Sequence, residues 1–249
     1  MEMNYIRFGE GNRTMVILPG LSLKPIAASA KAVIDAYQVF AKDYTVYLFD
    51  RRTDIEDDYS IEEMADDTIE KIEELGLKDL YLFGVSQGGM IAQYIALKRK
   101  DLVKKLVLAS TTFRFPDEKS EEWLKLAEEK STGKLIRSFS KMIYSEAFYR
   151  KYRLVLPLMF ADLSNEEKRR FTIYAKACIG FDLSDRLEQI DVPTLVLGSR
   201  KDRIIASEDM IEMSQRIPDC EIYLYEGYAH AVYDEAPDFK ERILDFFHR

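Results

Sequence analysis

Histidine is almost missing from this chain: His230 and His248 are the two among 249 residues. A tri-histidine metal site and a zinc site of the His-Glu-x-x-His type are therefore excluded. If a histidine acts as a base, it is one of these two. Cysteine is as scarce, with only Cys178 and Cys220, which argues against a disulfide framework and for two inert thiols. Basic charge is in deficit, 36 Lys and Arg against 44 Asp and Glu, so no excess is available to neutralise nucleic-acid phosphates. Long apolar runs are missing too. Stretches such as Met15 to Leu18 are far too short to span a bilayer. The opening Met1-Glu2-Met3-Asn4-Tyr5 has neither the basic nor the apolar region of a signal peptide. Together these deficits predict a cytoplasmic protein with no histidine-rich metal site, nucleic-acid partner or membrane span, and no metal or cofactor is expected.

What is present is a large apolar complement, 47% of residues, enough for a substantial core. Short β-rich runs predict strands at Tyr5 to Phe8, Thr14 to Leu18, Thr45 to Phe49, Leu80 to Val85, Lys105 to Ala109, Thr194 to Leu197 and Glu221 to Tyr225. Most are continuously apolar, as strands buried on both faces of a parallel sheet are. Gly9-Glu10-Gly11-Asn12 reads as a hairpin turn between the first two. Helical stripes lie between the strands. One runs from Ile26 to Phe40 behind Pro25. Another, Ile61 to Leu75, has a Ser60/Glu63 capping box at its start and Gly76 at its end. A third follows Pro237. Eleven acidic residues between Asp54 and Glu74 read as the solvated face of the second stripe rather than a cation site. The alternation predicts an α/β, doubly wound, mostly parallel sheet.

Residues 112–185 break the alternation. They carry no strand pattern and are dense in aromatics and methionine, including Trp123, Phe139, Met142 and Phe160. This predicts a helical cap over a core of residues 1–111 and 186–249. The four named residues are candidates for an apolar substrate pocket, although cap packing accounts for most aromatics of this kind.

Leu80 to Val85, then Ser86, then Gln87-Gly88-Gly89-Met90 is a strand, a G-x-S-x-G turn and a helix. A serine on such a turn projects its hydroxyl above the sheet, while the helix aims its free N–H groups and positive end at a developing oxyanion. The backbone N–H of Gln87 is one candidate donor. The segment fits neither G-x-x-x-x-G-K-[ST] nor G-x-G-x-x-G, so a phosphate loop fits less well, and a packing turn stays open as the bland alternative. A serine nucleophile needs a base, and the base an orienting acid. Asp202 follows the strand Thr194 to Leu197, and His230 follows the strand ending at Tyr225, so parallel strands deliver both to the edge where Ser86 stands. The competing acids fit less well. Asp182 and Asp185 belong to the cap exit, Asp191 to a strand start, and Asp234 is read as capping the last helix. His248, beyond the last helical stripe, is expected to be exposed and dispensable.

These residues resemble the α/β-hydrolase superfamily, in the branch with a helical cap between what the family counts as its sixth and seventh strands. The resemblance spans nearly the whole chain outside the cap. It includes Leu18-Pro19-Gly20-Leu21, Phe49-Asp50-Arg51-Arg52, Tyr59 to Asp67, Gly84 to Gly89, Val192 to Leu195, Gly198 to Asp202 and Gly227 to His230. It implies Ser86 as nucleophile, Asp202 as orienting acid, His230 as general base and acid, and the Leu21 amide as the second oxyanion donor beside Gln87. Pro19 stands where the family usually has histidine, but the donor needed is a backbone N–H. The glycine-rich segment that often follows Asp-x-Arg is replaced by acids, and one strand rather than two precedes Thr14.

The expected activity is that of a serine hydrolase on a small ester or related acyl compound, through an acyl-enzyme. The expected partner is a small molecule with an apolar acyl or alcohol part. A serine at the elbow argues against the haloalkane dehalogenases and epoxide hydrolases of this superfamily, which use aspartate there. Thioesterase, lactonase, C–C hydrolase, aminopeptidase and cofactor-free haloperoxidase chemistry stay open, as does a ligand-binding protein that keeps the fold with little turnover.

Overall fold

The computed structural model describes residues 2–115, 117–160 and 162–249. Seven strands, β1 (Met3–Phe8), β2 (Arg13–Leu18), β3 (Tyr44–Arg52), β4 (Leu80–Val85), β5 (Val103–Ala109), β6 (Thr194–Ser199) and β7 (Cys220–Tyr225), form one sheet. Its order is β1-β3-β2-β4-β5-β6-β7. β1 runs antiparallel to β3, and every other neighbouring pair is parallel. The helices are α1 (Ala30–Tyr37), α2 (Ile61–Glu74), α3 (Gln87–Lys98), α4 (Asp117–Ala127), α5 (Thr132–Ile143), α6 (Glu146–Tyr152), α7 (Leu156–Met159), α8 (Asn165–Ala177), α9 (Ser207–Arg216), α10 (Val232–Glu235) and α11 (Phe239–His248).

The continuous apolar strands bury both faces. On β2, Val16 and Leu18 join the core with α2, α3 and α9, whereas Met15 and Ile17 join the core with α11. Period-two alternation thus feeds two separate cores, one on each face of the sheet. The Ser60 hydroxyl accepts from the Glu63 amide, and the Glu63 carboxylate accepts from the Ser60 amide, an arrangement worth about 1 kcal/mol at a helix start. The acidic stretch is a solvated, ion-paired face: Glu62 and Asp66 meet Lys98, Asp67 meets Arg52, and Asp57 meets Arg169.

Two expectations are corrected. β1 and β2 form no hairpin, because β3 lies between them. The linking turn instead crosses the start of β3. The Glu10 amide donates to Ala41 O, and Thr45 Oγ1 donates to Gly11 O. A Cβ on Gly11 would lie 2.0 Å from the Asp43 carbonyl carbon, so the glycine serves this close crossing rather than a tight reversal. The Ile26–Phe40 stripe is not one helix either. It splits into a 3-10 turn (Ile26–Ser29), α1, and a second 3-10 turn (Gln38–Phe40). The Ile26 amide is captured by Asp50 Oδ2 at 2.9 Å, which fixes the entry independently of the helix.

Helices α4 to α8 all lie between β5 and β6. The segment enters and leaves through a narrow neck, where the Phe115 amide donates to Phe181 O and the Leu183 amide to Phe113 O, both at 2.8 Å. Within it, Trp123 Nε1 donates to Ala175 O at 2.7 Å and ties α4 to α8.

Candidate active site

β4 ends at Val85 and α3 begins at Gln87, so Ser86 alone makes the reversal. It does so at φ 51° and ψ −120°, a conformation costing a non-glycine residue about 1–3 kcal/mol that its surroundings must hold in place. Its amide donates to Ala109 O at 2.8 Å, and its carbonyl accepts from Thr111 Oγ1 at 2.7 Å. Gly88 is required next to it, because a Cβ there would lie 2.1 Å from Leu18 O. The first turn of α3 therefore presses directly on the loop after β2.

His230 Nε2 lies 3.0 Å from Ser86 Oγ, and His230 Nδ1 lies 2.8 Å from Asp202 Oδ2. In the tautomer that suits both contacts, Nδ1–H donates to the carboxylate and the serine hydroxyl donates to Nε2. The other carboxylate oxygen, Asp202 Oδ1, accepts from the Ile204 and Ile205 amides at 2.8 and 3.0 Å. The side chains of His230 and Asp202 are 3% and 0% exposed, so the charge-assisted contact is screened little by water. Ser110, itself at φ 46°, donates its hydroxyl to His230 O at 2.8 Å and ties the histidine loop to the end of β5. His248 is the last residue of α11, not beyond it. It stands 3.4 Å from Asp43, with its side chain 43% exposed.

The Leu21 and Gln87 amides have no hydrogen-bond partner among the described residues. Gly20 brings the Leu21 loop against Ser86, within 3.2 Å of the Ser86 Cβ for a Cβ built at that glycine. The end of β3 clamps this loop at two points. Asp50 takes the Ile26 amide, and buried Arg51 donates through Nη2 to Pro19 O at 2.7 Å and to Gln87 Oε1 at 3.1 Å. Burial holds the Arg51 guanidinium below its ordinary pKa and raises that of Asp50, which the adjacent arginine pulls back down. The Gln87 side chain also donates to Tyr174 O at 2.5 Å and reaches Cys178 Sγ at 3.3 Å, so α8 is anchored on the elbow. Burial pushes the Cys178 thiol up to about 11, which keeps it a thiol rather than a nucleophilic thiolate at neutral pH. Both cysteines are unpaired.

Beside this constellation lies a cavity of ≈ 380 Å³. The loop after β2 forms one wall, from Leu21 to Ile26, and Phe139, Tyr144, Leu156 and Phe160 form another. Tyr233 and Asp234 close it near the histidine, the Tyr233 ring standing edge-on to the His230 imidazole at 6.3 Å. Of the four aromatic and methionine candidates from sequence, Phe139 and Phe160 line this cavity; Trp123 and Met142 do not. Trp123 is buried between α4 and α8 with its N–H already satisfied, and Met142 packs on the core. Asp234 caps no helix. It sits within α10, while Asp238 precedes α11. Sequence reading misses Arg51 as the loop clamp and Tyr233 and Asp234 as wall residues, because their partners are distant in sequence and no local motif marks the pairing.

The model of the alpha/beta hydrolase fold family matches residues 14–237. The chain belongs to this family. Among curated α/β-hydrolase relatives, a putative carbamate hydrolase RutD of Rhizobium rhizogenes is 25% identical over 221 residues, 84% of each chain. A pimeloyl-[acyl-carrier protein] methyl ester esterase of Nitrosospira multiformis is 26% identical over 197 residues, covering 74% of each chain. The solved enol-lactonase of Burkholderia xenovorans LB400 superposes with a TM-score of 0.86 at 18% identity, over 99% of this chain and 96% of that one. The α/β-hydrolase sheet and its flanking helices are therefore shared at low sequence identity. Among the described residues, no helix is long and apolar enough to cross a membrane.

Proposed function

We propose that this hydrolase cleaves a small ester or related acyl compound through an acyl-enzyme, with Ser86 as nucleophile, His230 as general base and acid, and Asp202 as the orienting acid. The observation that carries the reading is the continuous contact from Asp202 through His230 to Ser86 at 2.8 and 3.0 Å. Ser86 Oγ attacks the carbonyl carbon as its proton passes to His230 Nε2. The imidazolium formed is stabilised by the buried Asp202 carboxylate. The carbonyl oxygen becomes an oxyanion in the field of the Leu21 and Gln87 amides, each donor of this kind being worth about 2.7–4 kcal/mol in the transition state. His230 then protonates the leaving group, and the acyl group stays on Ser86. Water, deprotonated by His230, attacks that ester, and the second tetrahedral intermediate collapses to carboxylic acid and free serine.

Residues 112–185 act in this reading as a cap over a core of residues 1–111 and 186–249, the helices between β5 and β6 supplying Phe139, Tyr144, Leu156 and Phe160 to the cavity. That wall favours a substrate with an apolar acyl or alcohol part. The relatives' names cover carbamate, methyl ester and enol-lactone substrates, all acyl compounds open to the same attack. Two unpaired cysteines support a reducing compartment such as the cytoplasm. The test is a chain-length series of p-nitrophenyl esters with matching thioesters. Turnover that peaks at a chain length filling the cavity and disappears in Ser86→Ala is expected. No turnover across ester, thioester, lactone and carbamate panels would favour a ligand-binding protein instead.

A further inference from the structure

Basic charge and exposed apolar surface are both unevenly spread over this molecule, and they peak in the same place. Residues 131–160, which span α5, α6 and α7, hold six Lys and Arg against the single acid Glu146, a surplus of +5 in a chain of net charge −8. Glu146 is taken by Arg150. Lys134, Arg137, Lys141, Lys151 and Arg153 are all exposed and meet no carboxylate among the described residues. Beside these cations Leu154 and Leu158 are 78% and 72% exposed and Val155 is 51% exposed, whereas no other large apolar side chain among the described residues exceeds 39%. Single exposed leucines are ordinary; three large aliphatic side chains within five residues, bordered by cations, mark an interaction surface.

Backbone geometry holds this surface in place. The Arg153 amide donates to Tyr149 O and the Val155 amide to Tyr152 O, both at 2.8 Å, and the Leu158 amide donates to Val155 O at 2.9 Å. The chain turns tightly there and keeps Leu154 and Leu158 outward, while Leu156 between them is buried against the cavity. On α5, Lys134, Arg137 and Lys141 fall at i, i+3 and i+7, one face of a helix. Leu135, Ile136 and Phe139 occupy its inner side. Lys141 Nζ lies 5.9 Å from the centre of the Tyr149 ring, so the basic face of α5 continues onto α6.

The chemistry of the partner follows from this arrangement. Side chains so fully exposed stand proud of the surface rather than line a groove. A rigid protein would need a matching pocket for them, whereas a lipid headgroup layer deforms around them. Flexible cations without fixed carboxylates match a diffuse field of lipid phosphates, and the acidic remainder of the chain is repelled from it, which orients the molecule with this end down. We propose that the Lys151–Leu158 tip is a docking site for an anionic membrane surface. Leu154, Val155 and Leu158 enter the headgroup boundary, and Lys151, Arg153 and the α5 cations lie over the phosphates. Leu156 and Phe160 line the cavity from the same stretch, so docking brings that wall beside the lipid. The site goes beyond the reading of Ser86 as nucleophile and does not depend on it.

The experiment is co-sedimentation with vesicles of equimolar phosphatidylcholine and phosphatidylglycerol, and with vesicles of phosphatidylcholine alone, in the absence of any substrate. Partition into the anionic vesicles is expected to be at least about tenfold stronger, and to fall about tenfold between about 0.05 and 0.5 M salt. Lys151→Glu/Arg153→Glu is expected to weaken it by about 30-fold. Lys151→Gln/Arg153→Gln is the milder pair, expected to cost about tenfold, should glutamate disturb α6. Leu154→Ser/Leu158→Ser is expected to weaken binding by about tenfold with the salt dependence unchanged. Lys42→Glu/Lys78→Glu makes the same charge change at exposed positions outside residues 131–160 and is expected to change binding by less than about twofold. Equal binding to both vesicles, no binding to the anionic ones at low salt, or equal losses in the two glutamate pairs would overturn the proposal. Anionic binding that survives the serine pair would also overturn it, by assigning the surface to a purely electrostatic contact such as an acidic protein. Because binding is read without turnover, its failure leaves the Ser86 reading standing, and failure of the Ser86 reading leaves the docking site standing.

Discussion

The reacting centre and the cavity beside it are built in different ways. Ser86, Asp202 and His230 stand on turns at the C-terminal ends of β4, β6 and β7, and each is locked by backbone: Ser86 through Ala109, Asp202 through the Ile204 and Ile205 amides, His230 through Ser110. The cavity is walled by side chains from the loop after β2, from α5, from α7 and its neighbour Phe160, and from α10, with backbone ties only at its margins, the Ile26 amide to Asp50 and the Ala231 amide to Ile143 O. The first region is expected to tolerate almost no change in residue type. The second is expected to accept changes that alter the substrate taken while the centre stays the same.

That difference orders the expected effects. Ser86→Ala and His230→Ala are expected to lower kcat by about 10⁴–10⁶-fold with the fold intact by circular dichroism. A loss of tenfold or less would detach these residues from the chemistry. Arg51→Met removes the clamp on Pro19 O and Gln87 Oε1 and is expected to lower kcat by about 10²-fold with KM little changed, as small misplacements of oxyanion donors do. An effect on KM alone would show that Arg51 serves the cavity rather than the centre.

Phe160→Ala tests the other side of the comparison. It is expected to raise KM about tenfold for a long-chain ester and to change p-nitrophenyl acetate hydrolysis by less than about twofold. Equal losses for both esters would mean that the two regions are not separable. Asp234→Asn is expected to change stability. The folded-state carboxyl is raised from 3.8 to about 6, so the folded protein holds the proton more tightly, and stability falls as pH rises through that window. The Asn variant escapes this loss and is expected to melt about 2 °C higher near neutral pH. Water reaching the carboxyl through the cavity keeps the gain below about 1 kcal/mol. The gain disappears below the lower end of the window, and a gain that persists there would assign it to packing instead. His248→Ala, at a half-exposed position paired with Asp43, is expected to leave hydrolysis within about twofold. A loss matching that of His230→Ala would reassign the base.

The same contrast explains what can be read from the amino-acid order. The strands, α2 with its capping box and the elbow at Ser86 are visible in sequence because each depends on neighbours within a few residues. The order Ser86, Asp202, His230 is visible because parallel strands send successive loops to one edge. The insertion of β3 between β1 and β2 is not visible, because Gly9 to Asn12 look like a hairpin turn until the crossing over Asp43 and Tyr44 is seen. The division of the cap aromatics is hidden too. Phe160 and Trp123 are alike in composition terms, yet one faces the cavity and the other is spent tying α4 to α8. Asp234 looks like a helix cap beside Pro237, whereas the structure places it within α10 on the cavity wall.

Labelling with a fluorophosphonate, followed by mass-spectrometric mapping of the modified peptide, tests Ser86 as the nucleophile. A Ser86 nucleophile predicts one adduct, on that residue, absent in Ser86→Ala and formed far more slowly in His230→Ala. Labelling that proceeds unchanged in Ser86→Ala would contradict it.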